Sequence, residues 1–110
     1  MQDPEAIART ESGYREVNEA IARTAEQLDA DETDFVCECA DPHCAHRITA
    51  QLDDYEEIRE HPRRFLVKDG HELARFETVV DRAPGYAIVE KVEARVACIA
   101  QRLDPRARPA

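Results

Sequence analysis

A seven-residue repeat of apolar positions near the N-terminus predicts a long amphipathic helix. Asp3 and Pro4 are typical of a helix start, because aspartate accepts hydrogen bonds from free backbone N–H groups and proline fits the first helical turn. Charged side chains fill about half of the other positions, while one stripe stays apolar or threonine: Ile7, Thr10, Tyr14, Val17, Ile21, Thr24 and Leu28. Such a stripe packs against its own domain or against another chain, as in a homodimer, and the sequence leaves both arrangements open.

Shorter apolar runs further along the chain predict strands. Residues 35–37 and 47–48 are two short strands on either side of a cysteine-rich loop, and residues 65–67 form a third. Residues 77–81 and 86–90 are rich in apolar and β-branched side chains and flank a Pro-Gly turn, which predicts a β-hairpin. The sheet is therefore expected to be small and antiparallel.

Two further helices are predicted after the cysteine-rich loop. The central helix begins after Thr49, which acts as its N-cap, and ends before Pro62. Its inward-facing residues are Leu52, Tyr55 and Ile58. Near the C-terminus, one helical face consists of Val92, Val96, Ile99 and Leu103. Arg106, Arg108 and Pro109 then form a short basic tail.

Charge excludes some classes of partner. The 110 residues carry 15 basic and 24 acidic side chains, for a net charge of −9, which argues against nucleic acid because phosphate contacts need clustered Lys and Arg. No apolar run is long enough for a membrane span, and the acidic start is unlike a signal peptide, so we expect a cytoplasmic protein. Residues 1–34 hold ten acidic and three basic side chains, which predicts a solvated face or a docking surface for a basic partner.

Three of the four cysteines lie within eight residues and predict a metal site. Cys37, Cys39 and Cys44 form a Cys-x-Cys-x4-Cys loop, and in a reducing compartment such clusters bind metal more often than they form structural disulfides. A structural zinc ion takes four cysteine or histidine ligands, so the fourth must come from elsewhere. A thiol redox pair is the competing interpretation, although it normally has Cys-x-x-Cys spacing at a helix start.

The candidates for the fourth ligand are His43, His46, His71 and Cys98. His43 and His46 are so close to Cys44 that either makes a cramped loop, yet His46 stays open as the alternative. His71 follows Gly70 in a tight turn after a strand, a common way to close a zinc site. The predicted ligand set for Zn²⁺ is therefore Cys37, Cys39, Cys44 and His71.

Together these elements predict an α+β fold. The expected order is a long N-terminal helix, a metal knuckle (a tight loop that holds metal through its cysteines), a central helix, a small antiparallel sheet with a hairpin, and a C-terminal helix. We divide the chain into an acidic helix and linker (residues 1–34), a zinc-knuckle core (35–91) and a C-terminal helix with its tail (92–110), within one compact domain. Aromatic residues make up only 5% of the chain, so a metal would contribute strongly to folding.

Several motifs resemble a family of small actinobacterial proteins that has no assigned activity. The resemblance covers about residues 14–91. It is carried by Arg15-Glu16-Val17-Asn18-Glu19, Phe35-Val36-Cys37-Glu38-Cys39, Cys44, Asp54-Tyr55-Glu56-Glu57-Ile58-Arg59, Pro62, Phe65-Leu66-Val67, Gly70-His71-Glu72, Glu77-Thr78-Val79-Val80 and Val89-Glu90-Lys91. It implies a shared fold unit and a metal site at the same cysteine and Gly-His positions. This chain departs from the family at Asp69, where proline is expected, and in its added C-terminal helix, which implies a further interaction surface.

These observations favour a small zinc-binding module that acts in protein interaction or regulation. A thiol-based redox or metal sensor that uses the same cysteines is the alternative. An enzyme is disfavoured, because a catalytic zinc would need an open position with Glu38 or Glu72 as base, and no deaminase or His-Glu-x-x-His pattern occurs. A nucleic-acid site would rest on a small basic patch alone, which consists of Arg63, Arg64 and Lys68.

Overall fold

Three α-helices and five strands make up the described part of the protein, residues 3–107 of a computed structural model. In chain order they are α1 (Pro4–Gln27), β1 (Glu32–Val36), β2 (Arg47–Gln51), α2 (Leu52–Arg59), β3 (Arg64–Lys68), β4 (Glu77–Ala83), β5 (Tyr86–Lys91) and α3 (Ala94–Arg102), followed by a short 3-10 helix (Pro105–Ala107). The predicted α+β class and order of elements are confirmed. Arg108 and Pro109 of the predicted basic tail lie outside the described residues. None of the described helices combines the length and apolar character needed to cross a membrane.

The strands form two small antiparallel sheets. β1 pairs with β2, with Phe35 opposite Ile48, and the connection between them carries the clustered cysteines. In the second sheet β5 lies between β3 and β4, and Val89 of β5 is opposite Phe65 of β3. The predicted hairpin is confirmed: β4 and β5 meet at the Pro-Gly step, where Gly85 has a φ of 89° that favours glycine.

One core of aromatic and aliphatic side chains joins the two sheets. Phe35 of β1 and Tyr55 of α2 stack with their ring centroids 4.4 Å apart, and Phe65 belongs to the same buried cluster. The other large members of this cluster are Ile48, Ile58, Leu66, Val67, Tyr86 and Val89. A smaller cluster packs α1 against α3 and consists of Ile7, Ala8, Phe76 and Val96. The β1–β2 hairpin is thus held against β3, which positions the cysteine loop.

The face of α1 that packs on the domain is not the apolar stripe predicted from heptad spacing. Of that stripe only Ile7 is buried, while Val17 is 48% exposed and Leu28 is 74% exposed. The buried face is largely polar and consists of Ile7, Ala8, Glu11, Ser12, Arg15, Asn18, Glu19, Ala22 and Ala25. A heptad pattern identifies only apolar residues. The buried face of α1 contains polar side chains whose partners lie far along the chain, and the pattern does not detect these contacts.

Buried cations account for much of this polar packing. Arg15 donates to the carbonyl oxygens of Pro62 (2.8 Å) and Ala100 (2.7 Å), and its guanidinium lies 4.4 Å from the centroid of the Phe65 ring. Two other buried cations are paired with carboxylates, which gives the ion pairs Arg59–Glu19, Arg59–Asp104, Lys91–Glu11 and Lys91–Glu77. Burial of charge is tolerated in a protein interior when each charge is paired and hydrogen-bonded.

Two helix boundaries differ from the prediction. Thr49 does not cap α2; it lies in β2, and its hydroxyl donates to Asp34 at 2.5 Å. β2 continues to Gln51 because it pairs with β1 over five residues. Its side chains alternate between exposed and buried, and Ile48 is on the buried side. The predicted C-terminal helix includes Val92, but α3 begins only at Ala94, after the N-cap residue Glu93. Val92 therefore lies before the helix, and its side chain is 56% exposed.

Candidate metal centre

Two loops from different sheets meet at the predicted metal site. The cysteine loop, residues 37–46, connects β1 to β2; the Cys37 N–H donates to the His46 carbonyl (3.1 Å), and the Cys44 N–H donates to the Asp41 carbonyl (3.1 Å). His71 lies in the connection between β3 and β4, in a turn that the positive φ of Gly70 (91°) makes possible. Residues that are 27 or more positions apart are therefore brought together by the packing of the two sheets.

The predicted ligands converge on one point. The ligand atoms of Cys37, Cys39, Cys44 and His71 all lie within 4.8 Å of one another. The Sγ atoms of Cys37 and Cys44 are 3.6 and 3.7 Å from Nδ1 of His71. For zinc bonds of about 2.3 Å to sulfur and about 2.0–2.1 Å to nitrogen, tetrahedral geometry expects a sulfur–nitrogen separation of about 3.6 Å. These four residues could hold a metal ion.

The three sulfurs lie close enough to affect one another's pKa. The hydrogen bond between Cys37 and Cys39 raises the pKa of Cys37, together with burial, and lowers the pKa of Cys39 to about 5. Burial raises the pKa of Cys44. One thiolate is therefore readily formed, while three neighbouring thiolates repel one another unless a cation compensates them. The donor set thus suits a cation that binds thiolates.

Backbone N–H groups support the negative charge of the sulfurs. The Lys68 N–H donates to Sγ of Cys37 at 3.1 Å, and this contact joins β3 to the cysteine loop. A hydrogen bond from the Asp41 N–H adds to the effect of Cys37 in lowering the pKa of Cys39, and one from the His46 N–H partly offsets the burial that raises the pKa of Cys44. Such contacts outside the ligand set orient metal-binding side chains and stabilise the thiolate form.

Glu38, between two of the cysteines, anchors the loop from inside. Its side chain is fully buried, and burial raises its pKa. Its carboxylate accepts hydrogen bonds from three donors, which are Asn18 Nδ2 (2.8 Å), the Tyr55 hydroxyl (2.9 Å) and the Leu66 N–H (2.9 Å). Because these donors occupy the carboxylate, Glu38 has a positioning role and is poorly placed to act as a base. The other base candidate, Glu72, is paired with Arg82 at 3.1 Å.

α1 holds the cysteine loop at two further points. The Asn18 side chain pairs with the Val36 backbone in both directions: its amide donates to the Val36 carbonyl and its oxygen accepts from the Val36 N–H, each at 2.8 Å. One turn earlier, the Tyr14 hydroxyl donates to the Asp41 carbonyl at 2.8 Å and lies 3.2 Å from the Cys44 carbonyl. Neither contact is recognisable from the sequence, since both residues are separated from their partners by 18 or more positions.

The remaining candidate ligands lie outside the four-residue group. The exposed ring of His46 packs edge-on against His71, with the centroids 4.9 Å apart. His43 is exposed, and its N–H donates to the Asp41 side chain at 2.9 Å. Cys98 is exposed on α3. Among the candidates for a fourth ligand, the structure brings His71 to the sulfurs.

No protein-family model, curated protein or solved structure matches this chain. The resemblance to a family of actinobacterial proteins therefore stays a prediction. Any functional assignment depends on the geometry of the chain itself.

Proposed function

We propose that this protein binds one zinc ion through Cys37, Cys39, Cys44 and His71, and that the ion stabilises a module for protein interaction or regulation. The observation that carries the proposal is the separation of the Cys37 and Cys44 sulfurs from His71 Nδ1, 3.6 and 3.7 Å, which suits ligands of a tetrahedral zinc. Thiolates are soft ligands and imidazole suits zinc, so this donor set favours zinc over magnesium or calcium.

A structural role follows from the number and the origin of the ligands. Four protein ligands fill a tetrahedral site and leave no position for a catalytic water. Three ligands come from the β1–β2 connection and the fourth from the β3–β4 connection, so a bound ion would cross-link the two sheets. In a chain of 110 residues with few aromatic side chains, such a link is expected to contribute substantially to folding.

The interaction role is supported by the surface. The N-terminal helix and linker are strongly acidic, and two large apolar side chains are exposed there, Val17 on α1 and Leu28 at its C-cap. Val17 and Leu28 line one contiguous apolar surface, and such surfaces are typical of a contact with another molecule. We expect the module to act in the cytoplasm, where reducing conditions keep cysteines available for metal.

A sensor is the second candidate function, and the exposure of the site favours it. Cys37 and Cys39 are buried, whereas Cys44 and His71 are only half-buried, so one sulfur of the set is accessible. A peroxide could convert two bound thiolates into a disulfide, with uptake of two protons and release of two waters, and the zinc ion would then leave. Reversible release of zinc at low peroxide, coupled to a change in partner binding, would favour the sensor.

Metal content is the decisive measurement for the zinc proposal. Protein purified without added metal should contain about one zinc ion per chain by elemental analysis. The variant His71→Ala should lose most of it, while the matched control His43→Ala should retain it, because His43 is exposed and outside the group. A zinc-free protein with four titratable thiols would overturn the proposal. Iron in place of zinc would show that the site binds a different metal.

A further inference from the structure

An apolar groove runs along the outer flank of α1. It has a volume of about 480 Å³, and its walls include Val17, Ala20, Ile21, Thr24, Leu28 and Thr33. Four large hydrophobic side chains are exposed on the described part of the chain, and two of them, Val17 and Leu28, lie in this groove. The groove thus contains the C-terminal half of the apolar stripe, from Val17 to Leu28, which the domain does not bury.

The groove follows one flank of α1, which suits an elongated ligand. Its helical members recur at spacings of three and four residues, which places them on one flank of α1. From Val17 to Leu28 the helix rises about 16 Å, the length of about three helical turns in a partner. Arg23 also lies on this part of α1. It is rotated about 120° around the helix axis from Val17, so its positive charge is not on the flank that lines the groove.

Acidic side chains border the groove at one end. An adjoining cleft shares Ala30 with the groove and is lined by four carboxylates, those of Glu26, Asp29, Asp31 and Asp53. All four are exposed, and within residues 3–107 none of them forms an ion pair. A ligand of this surface therefore needs an apolar stripe and positive charge beside it.

We propose that the groove binds a basic amphipathic helix of another protein, with its apolar residues against Val17, Ile21 and Leu28. Its Lys and Arg side chains would meet the carboxylates at the Leu28 end. A second copy of this chain fits less well, because each copy carries a net charge of −9 and pairing would bring the acidic borders together. The inference rests on the proposed interaction role but not on the identity of the metal.

A labelled synthetic peptide tests the groove. The probe is a helical peptide with leucines at positions i, i+4, i+7 and i+11 and with lysines and arginines elsewhere; its control has glutamates in place of the cations. Fluorescence anisotropy should show binding of the basic peptide and not of the acidic one. Leu28→Asp should weaken binding about tenfold or more, because a buried leucine contributes about 1.5–3 kcal/mol. The matched control Val92→Asp, at another exposed apolar residue, should bind as the wild type does.

Several results would overturn the inference. They are absence of binding, equal binding of the acidic peptide, equal loss in Leu28→Asp and Val92→Asp, and a wild-type dimer in sedimentation that Leu28→Asp dissociates. The last result would make a second copy the occupant. Zinc content measured on each preparation separates the two proposals. Full zinc content without peptide binding rejects the groove alone, and peptide binding by a zinc-free protein rejects the zinc site alone.

Discussion

Asn18 on α1 donates a hydrogen bond of 2.8 Å to Glu38, the residue between the first two cysteines of the candidate metal site. The same amide group also pairs with the backbone of Val36. One helix side chain thus holds both the end of β1 and the inside of the cysteine loop. The positions of two candidate ligands, Cys37 and Cys39, therefore depend on contacts that do not require a metal.

Glu38→Gln should lower both stability and zinc affinity. All three neighbours of the carboxylate donate hydrogen bonds, so the NH2 group of glutamine would face a donor in a buried site. We expect a loss of about 2–3 kcal/mol in the free energy of unfolding. Urea denaturation and a zinc competition assay measure the two effects. The exposed control Glu57→Gln should change neither, and an unchanged Glu38→Gln would show that the loop does not depend on this anchor.

Zinc should stabilise the fold through the buried sulfurs. Adding zinc to metal-free protein at about 100 times its dissociation constant should raise Tm by about 10 °C or more, by linkage between binding and folding. Cys37→Ser should abolish this increase, because Cys37 belongs to the four-residue group. Cys98→Ser is the matched control, since Cys98 is exposed on α3, and should keep the full increase in a thermal melt. Equal increases in both variants would place the metal elsewhere.

Glu11 should make stability depend on pH. Burial raises the pKa of Glu11 from 4.5 to about 7, although Lys91 opposes the shift and Glu77 adds to it. Since the folded chain holds this proton more tightly, Glu11 favours folding fully below pH 4.5, and the contribution is lost as the pH rises through 7. Its full size is about 3 kcal/mol, since one pKa unit corresponds to about 1.4 kcal/mol.

The variant Glu11→Gln isolates that contribution. Unfolding free energies measured between pH 5 and 8 should fall less with rising pH than those of the wild type. Glu16→Gln, an exposed position on the same helix, should keep the wild-type slope. A wild-type slope in Glu11→Gln would mean that Glu11 ionises normally in the folded chain.

Arg15→Lys should destabilise the protein although the charge is kept. The guanidinium donates to the Pro62 and Ala100 carbonyls at once, and an ammonium group cannot reproduce this fork. We expect a loss of about 2–3 kcal/mol in urea denaturation, because a buried carbonyl is left without a donor. Arg9→Lys, which alters an exposed pair with Glu5, should cost less than about 0.5 kcal/mol. Similar losses in both variants would show that the guanidinium of Arg15 makes no particular contribution to stability.

The local features of this protein were predictable from its sequence. The helix start at Asp3 and Pro4, the hairpin around Gly85 and the cysteine loop depend on backbone preferences and spacing within a few residues. The approach of His71 to the cysteines was predictable as well, because a tight turn after a strand is a common place for the ligand that closes a zinc site.

Only the tertiary structure decided which face of α1 is buried. Val17 and Leu28 remain exposed, while Arg15 and Asn18 lie inside, because partners distant along the chain satisfy their polar groups. The sequence shows that a side chain is polar, but its burial is favourable only if a donor or acceptor meets it in space. Whether the donor and acceptor come together depends on how the helices and sheets pack. The buried anchor Glu38 and the open apolar groove therefore appear only in the folded chain.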